Sequence, residues 1–333
     1  MGCNLAIAGV TGAVGQEFLR IIEERDFPFS SLRVLASNRS AGKKIEFKGK
    51  TYIVEELTRK SFNGIDIALF SAGAERSKEF APAAVESGAV VVDNSSAFRM
   101  DPSAPLVIPE INPQKIFEHK GIIANPNCST IIGIVPVWPL HKANPVKRMV
   151  MSTYQAASGA GMSAMLELES QSREILDGKR PTIKVFPYQI AFNCFSHNSS
   201  LGPNGYNLEE TKMVKETHKI FDCPEIAITC TCIRIAVLRA HCESINLEFT
   251  GSITPDEVRD LLSTAPGVTV LDDREHNRFP MPIDATGKDD IYVGRIRQDE
   301  SLPENRGINI WVAGDQLRKG AALNAVQIAE KLL

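Results

Sequence analysis

Cys128 stands in the segment Asn-Pro-Asn-Cys-Ser-Thr at positions 125–130, a pattern that predicts a tight turn leading directly into an apolar helical run. Because a helix N-terminus favours negative charge, a cysteine there can react as the thiolate with a carbonyl carbon. The N–H groups of the first helical turn can bind the resulting oxyanion. A lone cysteine is more often a small buried residue with an inert thiol. The catalytic interpretation therefore needs partner groups elsewhere in the chain.

A cysteine nucleophile needs a group that moves protons, and histidine is the usual one. His241 is the best candidate, because it directly follows a predicted strand and a loop can aim it at a cleft. His197, in Phe-Ser-His-Asn, is the competitor. The remaining histidines stand among charged or helix-surface residues and are expected to be solvated: His119, His141, His218 and His276.

Arg234 alternates with Ile233 and Ile235 in an otherwise apolar predicted strand. A guanidinium at such a position has to be paired or has to face a ligand, because burying it alone is costly. The pattern leaves two interpretations open, a bidentate clamp for a substrate carboxylate and an internal salt bridge.

Two further charged positions are less specific. Arg99 follows a predicted strand of the first sheet, in a loop from which it can bind an anion. Glu209 and Lys212 are one helical turn apart, and an ordinary surface pair is the default explanation for that spacing.

The segment Gly9–Gly15 carries three glycines between an apolar strand and a helix at the start of the chain. Glycines allow a tight turn and a close approach of the backbone to a pyrophosphate, which rests on the helix N-terminus. This context favours a dinucleotide site over a plain turn.

The end of the second predicted strand indicates which dinucleotide binds. An NAD site calls for an acidic residue about 20 residues past the glycines, whereas this chain has Ala-Ser-Asn-Arg-Ser at 36–40. Arg39 and Ser40 suit a ribose 2′-phosphate, so the cofactor is predicted to be NADP; a solvated loop is the alternative. A cysteine together with NADP suggests aldehyde oxidation, or its reverse, through a thioester.

Composition limits the remaining possibilities. The chain has 333 residues, 43% of them hydrophobic and 23% charged, with a net charge of −3. These values predict two domains and no nucleic-acid partner. No apolar stretch approaches membrane-spanning length, and the first residues lack the basic flank of a signal peptide, so a cytoplasmic protein without membrane partners is expected. Seven cysteines form neither an even disulfide framework nor a CxxC pair, and no metal site is predicted.

Hydrophobic periodicity predicts an α/β chain with two parts. Residues 1–127, completed by a C-terminal helix at 314–333, are expected to form a Rossmann-type, doubly wound parallel sheet that binds NADP. Residues 128–313 are expected to form an α+β catalytic and dimerisation domain with a mostly antiparallel sheet. Pro136 and Pro139 predict that the helix after Cys128 is kinked or broken.

In this order and spacing, the motifs resemble the aspartate-semialdehyde dehydrogenase family over essentially the whole chain. The matching segments are Gly9–Gly15, Ser37–Lys43, Ser95–Arg99, Pro109–Asn112, Asn125–Thr130, Gln155–Gly161, Glu209–Lys212, Arg234–His241 and Asp315–Asn324. The resemblance implies that Cys128 is the acyl-forming nucleophile, His241 the acid/base and Gln155 the residue that orients the substrate. It also implies that Arg234 binds the α-carboxylate and Glu209 the amino group.

The same resemblance assigns the phosphoryl group to Arg99 and Lys212 and a substrate contact to Asn127. It implies NADP contacts by Gly9, Thr11, Gly12, Ala13, Val14, Gly15, Ser37, Arg39, Ser40, Ser71, Ala72, Gly73, Ser158, Gly159 and Gln316.

The implied reaction interconverts aspartate 4-semialdehyde, phosphate and NADP with 4-aspartyl phosphate and NADPH, in the synthesis of lysine, threonine and methionine. The resemblance also implies a homodimer or homotetramer. The nearest rival is an N-acetyl-glutamyl-phosphate reductase, whose acylated substrate amine would not need Glu209. A glyceraldehyde-phosphate dehydrogenase fits the loop at 37–43 less well. A non-catalytic NADPH sensor is the alternative from another class, and it would have no use for Cys128.

Overall fold

The computed structural model describes residues 2–333 and contains fifteen strands and eight α-helices within them, numbered in chain order. The strands are β1 (Cys3–Ala8), β2 (Phe29–Ala36), β3 (Lys44–Phe47), β4 (Lys50–Ile53), β5 (Glu55–Glu56), β6 (Ile67–Phe70), β7 (Val90–Asp93), β8 (Ile122–Ala124), β9 (Val146–Gln155), β10 (Cys194–Ser196), β11 (Ala227–Ile235), β12 (His241–Phe249), β13 (Val268–Val270), β14 (Ile291–Gln298) and β15 (Gly307–Gly314). The helices are α1 (Ala13–Glu24), α2 (Ala74–Glu86), α3 (Cys128–Ala143), α4 (Met162–Leu176), α5 (Leu208–Phe221), α6 (Pro255–Ser263), α7 (Pro282–Ala285) and α8 (Leu323–Glu330).

The chain divides into two compact units. The first comprises the chain up to Asn127 together with Ala321–Leu333. Its sheet has the strand order β5-β2-β1-β6-β7-β8, and all neighbouring pairs are parallel. The predicted Rossmann-type sheet is confirmed.

Alternation along β1 explains how both faces of this sheet are covered. Leu5 and Ile7 belong to a core cluster built with apolar residues of α1 and α8. Ala6 and Ala8 point the other way and belong to a second cluster with residues of α2. Because both faces are buried, β1 is apolar at nearly every position, as is usual for parallel strands.

The second unit, Cys128–Gly320, contains a mixed sheet with the order β10-β11-β9-β12-β15-β14-β13. The β11–β9 and β13–β14 pairs are parallel, and the other neighbours are antiparallel, so the sheet is mostly antiparallel as predicted. Helices α3, α5 and α6 contact its strands. The predicted α+β organisation of this half is confirmed.

Helix α3 does not break at its prolines. It continues from Cys128 to Ala143 through Pro136 and Pro139. Each proline removes one backbone hydrogen bond of the helix. Every residue from 129 to 137 is buried, however, and tertiary packing of this kind outweighs local propensity. The helix is therefore not broken, and the kink that the two prolines also predict stays a prediction.

The C-terminal segment is helical in two pieces, a π-helical turn at Arg318–Ala322 followed by α8. Apolar residues of α8 pack in the same core cluster as β1 and α1. Within residues 2–333, no helix combines the length and apolarity needed to cross a bilayer.

Candidate active site

Cys128 is the first residue of α3, and no acidic residue lies in the first turn of that helix. The thiol is half-buried, whereas the next residue, Ser129, is fully buried. The backbone at Gly320 passes close to Cys128, because a Cβ added at Gly320 would lie only 3.0 Å from the Cβ of Cys128. The helix N-terminus favours negative charge at the sulfur, as predicted from the sequence.

Three strands of the second unit bring polar side chains to the same end of the sheet. Arg234 of β11 is in register with Gln155, the last residue of β9. His241 begins β12, one residue before the Cys242–Tyr154 pair, and therefore lies beside the end of β9. The side chains of Gln155, Arg234 and His241 are all buried.

Gln155 connects two helices. Its amide nitrogen donates to the Ser129 hydroxyl at 2.7 Å and to a carboxylate oxygen of Glu209 at 3.2 Å. Its Oε1 has no hydrogen-bond partner within residues 2–333. The side chain is thus held by its nitrogen, and its oxygen remains available to accept a bond from a ligand.

Glu209 and Lys212 form the pair that helical spacing suggested, with Nζ 3.2 Å from the carboxylate. A surface pair does not describe it well, because Glu209 is 5% exposed and also accepts the bond from Gln155. The first turn of α5 is fixed by a capping box between Asn207 and Glu210. The helix therefore holds the Glu209 carboxylate rigidly inside the unit.

Arg234 has no carboxylate within ion-pair distance among the described residues. Its Nη1 donates to the Ala156 carbonyl at 3.2 Å, and its Nη2 lies 2.8 Å from Nε2 of His197. The guanidinium also lies 5.9 Å from the Phe186 ring centroid. Burial lowers the pKa of Arg234, and the nearby Glu209 and Cys128 oppose that shift. The internal salt bridge is not found, and the group can receive a carboxylate.

His241 is fully buried, and its Nδ1 accepts a hydrogen bond from the Ala156 N–H at 3.0 Å. The neutral ring therefore carries its proton on Nε2, which has no partner within residues 2–333. Burial, followed by the charge of Arg234, holds the pKa of His241 well below its usual value. A Cβ at Gly159 would come within 3.0 Å of His241 Nε2 and 2.8 Å of Arg234 Nη1. The residue at 159 must be glycine for both groups to keep these positions.

Two of the predicted NADP contacts lie together in this unit. The Gln316 side-chain nitrogen donates to the Ser158 hydroxyl, and its oxygen accepts the Ala240 N–H at 2.9 Å. Ser158 immediately precedes Gly159, which borders His241.

The glycine segment of the first unit has the form expected of an anion-binding turn. Gly9 has φ +90, a value that L side chains rarely adopt. A Cβ at Gly15 would lie 2.2 Å from the Gly9 carbonyl oxygen, so α1 could not approach β1 with any other residue there. Gly12 is the N-cap of α1 without a side-chain cap, and Thr11 is exposed beside it. The N–H groups of Ala13, Val14 and Gly15 begin the helix, where anions bind.

The loop after β2 lines a cavity of about 340 Å³ in the first unit. Arg39 contributes to its wall, and Arg76 of α2, which sequence reasoning missed, contributes a second guanidinium. The other lining residues are Ser37, Asn38, Glu56, Leu57, Glu79 and Phe80. Ser40 follows in the same turn, but it is not among the lining residues.

The connection from β6 to α2 contains Ser71, Ala72 and Gly73. Gly73 has φ +89 and is the N-cap of α2, without a side-chain cap. This connection supplies a second uncapped helix N-terminus at the carboxyl ends of the parallel strands, which is where such sheets bind ligands.

The remaining predicted substrate residues, Arg99 and Asn127, are buried in the first unit. Arg99 donates from Nε to the Asn125 carbonyl at 2.9 Å and from Nη2 to the Asn94 carbonyl at 3.0 Å. These two backbone carbonyls help to fix the position of the Arg99 side chain.

Sequence reasoning misjudged some positions around the site. Ser129 and Phe186 touch Gln155 and Arg234, respectively, but their types and spacing gave no signal. The expectation that four histidines are solvated holds only for the exposed His276, since the others are half-buried: His119, His141 and His218.

Most of the other cysteines differ from Cys128 in burial. Cys223 is half-buried like Cys128, whereas Cys3 is buried, and burial raises the pKa of both Cys3 and Cys223. Cys230 and Cys232 alternate on the buried face of β11, and burial raises the pKa of both thiols. Burial also raises the pKa of Cys242 to about 12. Cys194 is exposed.

Two family models match most of the chain. Residues 4–119 match the model described as semialdehyde dehydrogenase, NAD binding domain, and residues 137–319 match the one described as semialdehyde dehydrogenase, dimerisation domain. The chain is 53% identical to the aspartate-semialdehyde dehydrogenase of Synechocystis sp., covering 99% of this chain and 97% of that protein. It is 50% identical to the aspartate-semialdehyde dehydrogenase of Aquifex aeolicus, covering 100% and 98%.

The fold is similar to a crystal structure of aspartate semialdehyde dehydrogenase II from Vibrio cholerae complexed with ASA. The TM-score is 0.96 at 44% identity, and the alignment covers 100% of this chain and 98% of that one.

Proposed function

Because the chain belongs to the aspartate-semialdehyde dehydrogenase family, we propose that it interconverts L-aspartate 4-semialdehyde, phosphate and NADP with L-4-aspartyl phosphate and NADPH. One observation carries the proposal. Arg234 has no carboxylate within ion-pair distance in residues 2–333, and the side chain of its register neighbour Gln155 donates to the buried carboxylate of Glu209. Arg234 can thus bind an α-carboxylate, and Glu209 can bind an α-ammonium group. Both lie beside α3, the helix that begins at Cys128.

The first unit supplies the groups that would hold NADP. The uncapped N-terminus of α1 after Gly9–Gly12 suits the pyrophosphate, and Arg39 with Arg76 suits the 2′-phosphate. Ser71, Ala72 and Gly73, with Ser158, Gly159 and Gln316 of the second unit, are proposed as further contacts. When bound, NADPH supplies the hydride that reduces the acyl carbon.

Cys128 is the proposed nucleophile. Its thiolate attacks the acyl carbon of aspartyl phosphate, a C–S bond forms, and phosphate leaves with the electrons of the C–O bond. The negative charge at Sγ is supported by the α3 N-terminus. After reduction of the thioester, collapse of the tetrahedral intermediate releases the aldehyde and restores the thiolate.

His241 is the proposed acid/base group. Its Nδ1 accepts from Ala156, so Nε2–H is the atom that donates toward the oxygen of the tetrahedral intermediate. Gln155 orients the substrate with its available Oε1. Arg99 and Lys212 are proposed to bind the phosphoryl group, and Asn127 is proposed as a further substrate contact.

We propose that the active form is a homodimer or homotetramer in the cytoplasm. The family model over residues 137–319 is that of a dimerisation domain. The second unit also exposes several large apolar side chains, among them Met162, Leu166, Tyr188 and Phe192. Light scattering of the purified protein tests this assembly directly.

The decisive assay follows NADP reduction with aspartate 4-semialdehyde, with and without phosphate. Turnover is expected only when phosphate is present, because phosphate is the group that cleaves the thioester. The same assay with N-acetyl-glutamate semialdehyde is expected to give little activity, since Glu209 would then face a neutral amide. Phosphate-independent turnover, or a preference for the acetylated substrate, would reject this assignment. Absence of all turnover would favour a non-catalytic sensor.

A further inference from the structure

His197 is the closest polar neighbour of the Arg234 guanidinium, with Nε2 2.8 Å from Nη2. It follows β10, which pairs antiparallel with β11, so the sheet itself brings the histidine alongside the arginine. An arginine always donates. Nε2 of His197 must therefore accept, and the ring must be neutral.

The proton of that neutral ring lies on Nδ1, 3.0 Å from the Ser199 hydroxyl oxygen. Ser199 then has all its hydrogen-bonding capacity in use. Its oxygen also accepts the Glu209 N–H at 3.1 Å, and its own O–H points to Asn207 Oδ1 at 3.4 Å. The structure also has the Ser199 N–H directed at Nδ1 at 3.2 Å, a bond that Nδ1 can accept only without its proton. In the tautomer that Arg234 requires, Nδ1 carries the proton, so the bond to the Ser199 hydroxyl replaces the bond from the Ser199 N–H. A directional chain of hydrogen bonds thus runs from Arg234 to the first turn of α5.

We propose that His197 is a positioning residue that holds Arg234 ready for the substrate α-carboxylate and, through Ser199, fixes its place relative to Glu209. The inference rests on the proposed function for the identity of the substrate. The sequence suggested His197 as an alternative to His241 for proton transfer. His197 is instead given a positioning role.

The charges around His197 agree with a permanently neutral ring. Burial and Arg234 lower the pKa of His197 to about 4, Lys212 acts in the same direction, and Glu209 opposes it. The imidazole consequently accepts from Arg234 throughout the neutral pH range, and a protonated ring would repel the guanidinium.

Steady-state kinetics of His197→Leu and His197→Gln test the proposal. Leucine keeps the volume but removes the acceptor, and we expect the KM for aspartate semialdehyde to rise about tenfold, the loss typical of one hydrogen bond to a charged group. The kcat and the KM values for phosphate and NADP should change by less than about twofold. Glutamine retains an acceptor oxygen and should restore most of the semialdehyde KM. His276→Gln, at an exposed site of the same unit, serves as the matched control.

An unchanged semialdehyde KM in His197→Leu would overturn the proposal. So would a parallel loss of kcat, of every KM and of thermal stability, because that pattern belongs to a merely structural residue. Failure of glutamine to restore the KM would likewise reject the acceptor role.

A measurement without turnover separates this inference from the proposed function. NMR titration of the histidine Cε1–H signals, with His197 assigned from the His197→Gln variant, should show that Arg234→Met raises the pKa of His197. No change would mean that the two side chains do not interact in solution. If the unaltered enzyme fails to use aspartate semialdehyde, the proposed function falls, yet this titration still decides whether His197 binds Arg234.

Discussion

The N–H of Ala156 donates to Nδ1 of His241 at 3.0 Å, and this bond fixes which nitrogen of the neutral ring carries the proton. Full protonation of the ring would break the bond, in agreement with a pKa held well below its usual value by burial and Arg234. In the proposed mechanism, His241 meets the substrate as a neutral Nε2–H donor, an arrangement suited to stabilising a developing oxyanion.

The donor role of His241 predicts how its substitution changes kcat. His241→Ala is expected to lower kcat by about 10²–10³-fold, the effect of removing one oxyanion donor. His241→Gln keeps an N–H group and should lose less. If His241 stays neutral, the pH profile of kcat/KM near the ordinary histidine pKa should have the same shape in the unaltered enzyme and in His241→Gln. No step in that range should be lost on substitution. Such a step would mean that the ring titrates normally and acts as an imidazolium.

Replacement of Cys128, the proposed nucleophile, should separate its chemical role from cofactor binding. Cys128→Ala is expected to abolish turnover, because no thioester can form. It should leave NADPH affinity, measured by fluorescence titration, close to that of the unaltered protein. Cys194→Ala, at an exposed cysteine of the same unit, is the matched control and should remain fully active. Loss of NADPH binding in Cys128→Ala would assign the residue a structural role instead.

Removal of the Arg39 guanidinium should change cofactor preference. Arg39→Ala is expected to weaken NADP binding about tenfold or more, the contribution of a charged hydrogen bond, with a far smaller effect on NAD. Arg76→Ala should behave in the same way, because both residues line the same cavity. Arg59→Ala, which removes a surface ion pair with Glu86, is the control. Equal losses for NAD and NADP would place the 2′-phosphate elsewhere.

Glu243 should make stability depend on pH. It lies two residues after His241 on β12, fully buried, and neither carboxylate oxygen has a hydrogen-bond partner within residues 2–333. Burial, with a smaller contribution from Glu209, holds its pKa well above the usual value. A Cβ at Gly133 would lie 2.6 Å from the carboxylate, so α3 leaves room for it only because residue 133 is glycine.

The folded protein keeps the Glu243 proton, whereas the unfolded chain releases it with a pKa of about 4.3. Above that pH the unfolded state binds fewer protons, so the free energy of unfolding falls as pH rises toward the folded-state pKa, by up to about 1.4 kcal/mol per pH unit. Glu243→Gln should lose this slope and gain relative stability between pH 5.5 and 8 in urea unfolding. Glu248→Gln, farther along β12 and partly exposed, should keep the slope. Parallel slopes in the two variants would show that Glu243 is ionised in the folded protein.

Most elements could be predicted from the sequence because their periodicity is clear. Short apolar runs at 4–10, 32–37, 66–72, 89–93 and 121–124 predict the strands of the parallel sheet, and the structure has β1, β2, β6, β7 and β8 there. Helix α3 was the exception. Its two prolines carry a strong local signal for a break, and only the burial of the surrounding helix overrides it.

The candidate site was harder to predict as a whole. Local patterns pointed to Cys128 and His241 one at a time, and the family resemblance pointed to Gln155, but the connections of these residues come from other elements. Ser129 reaches Gln155 across the helix–sheet packing, and His197 reaches Arg234 because β10 pairs with β11. No local spacing encodes either contact.

The segment between α4 and α5 shows the same limit. It has little regular structure, and Glu167 and Gln171 of α4 hold it by accepting backbone N–H groups, including those of Phe186 and Ile190. In the sequence, Glu167 and Gln171 are one helical turn apart, a pattern that predicts an ordinary solvent-exposed helix face. Their burial becomes evident only when the segment folds over them.

The contrast among the cysteines makes the protein a selective target for electrophiles. Alkylating agents consume thiolates, and the buried Cys230, Cys232 and Cys242 hold their protons tightly. In a Cys194→Ala variant, an alkylating label should accumulate first at Sγ of Cys128, the first residue of α3. The stoichiometry of labelling would then count the copies of the protein whose Cys128, the proposed nucleophile, is reactive, without any assay of turnover.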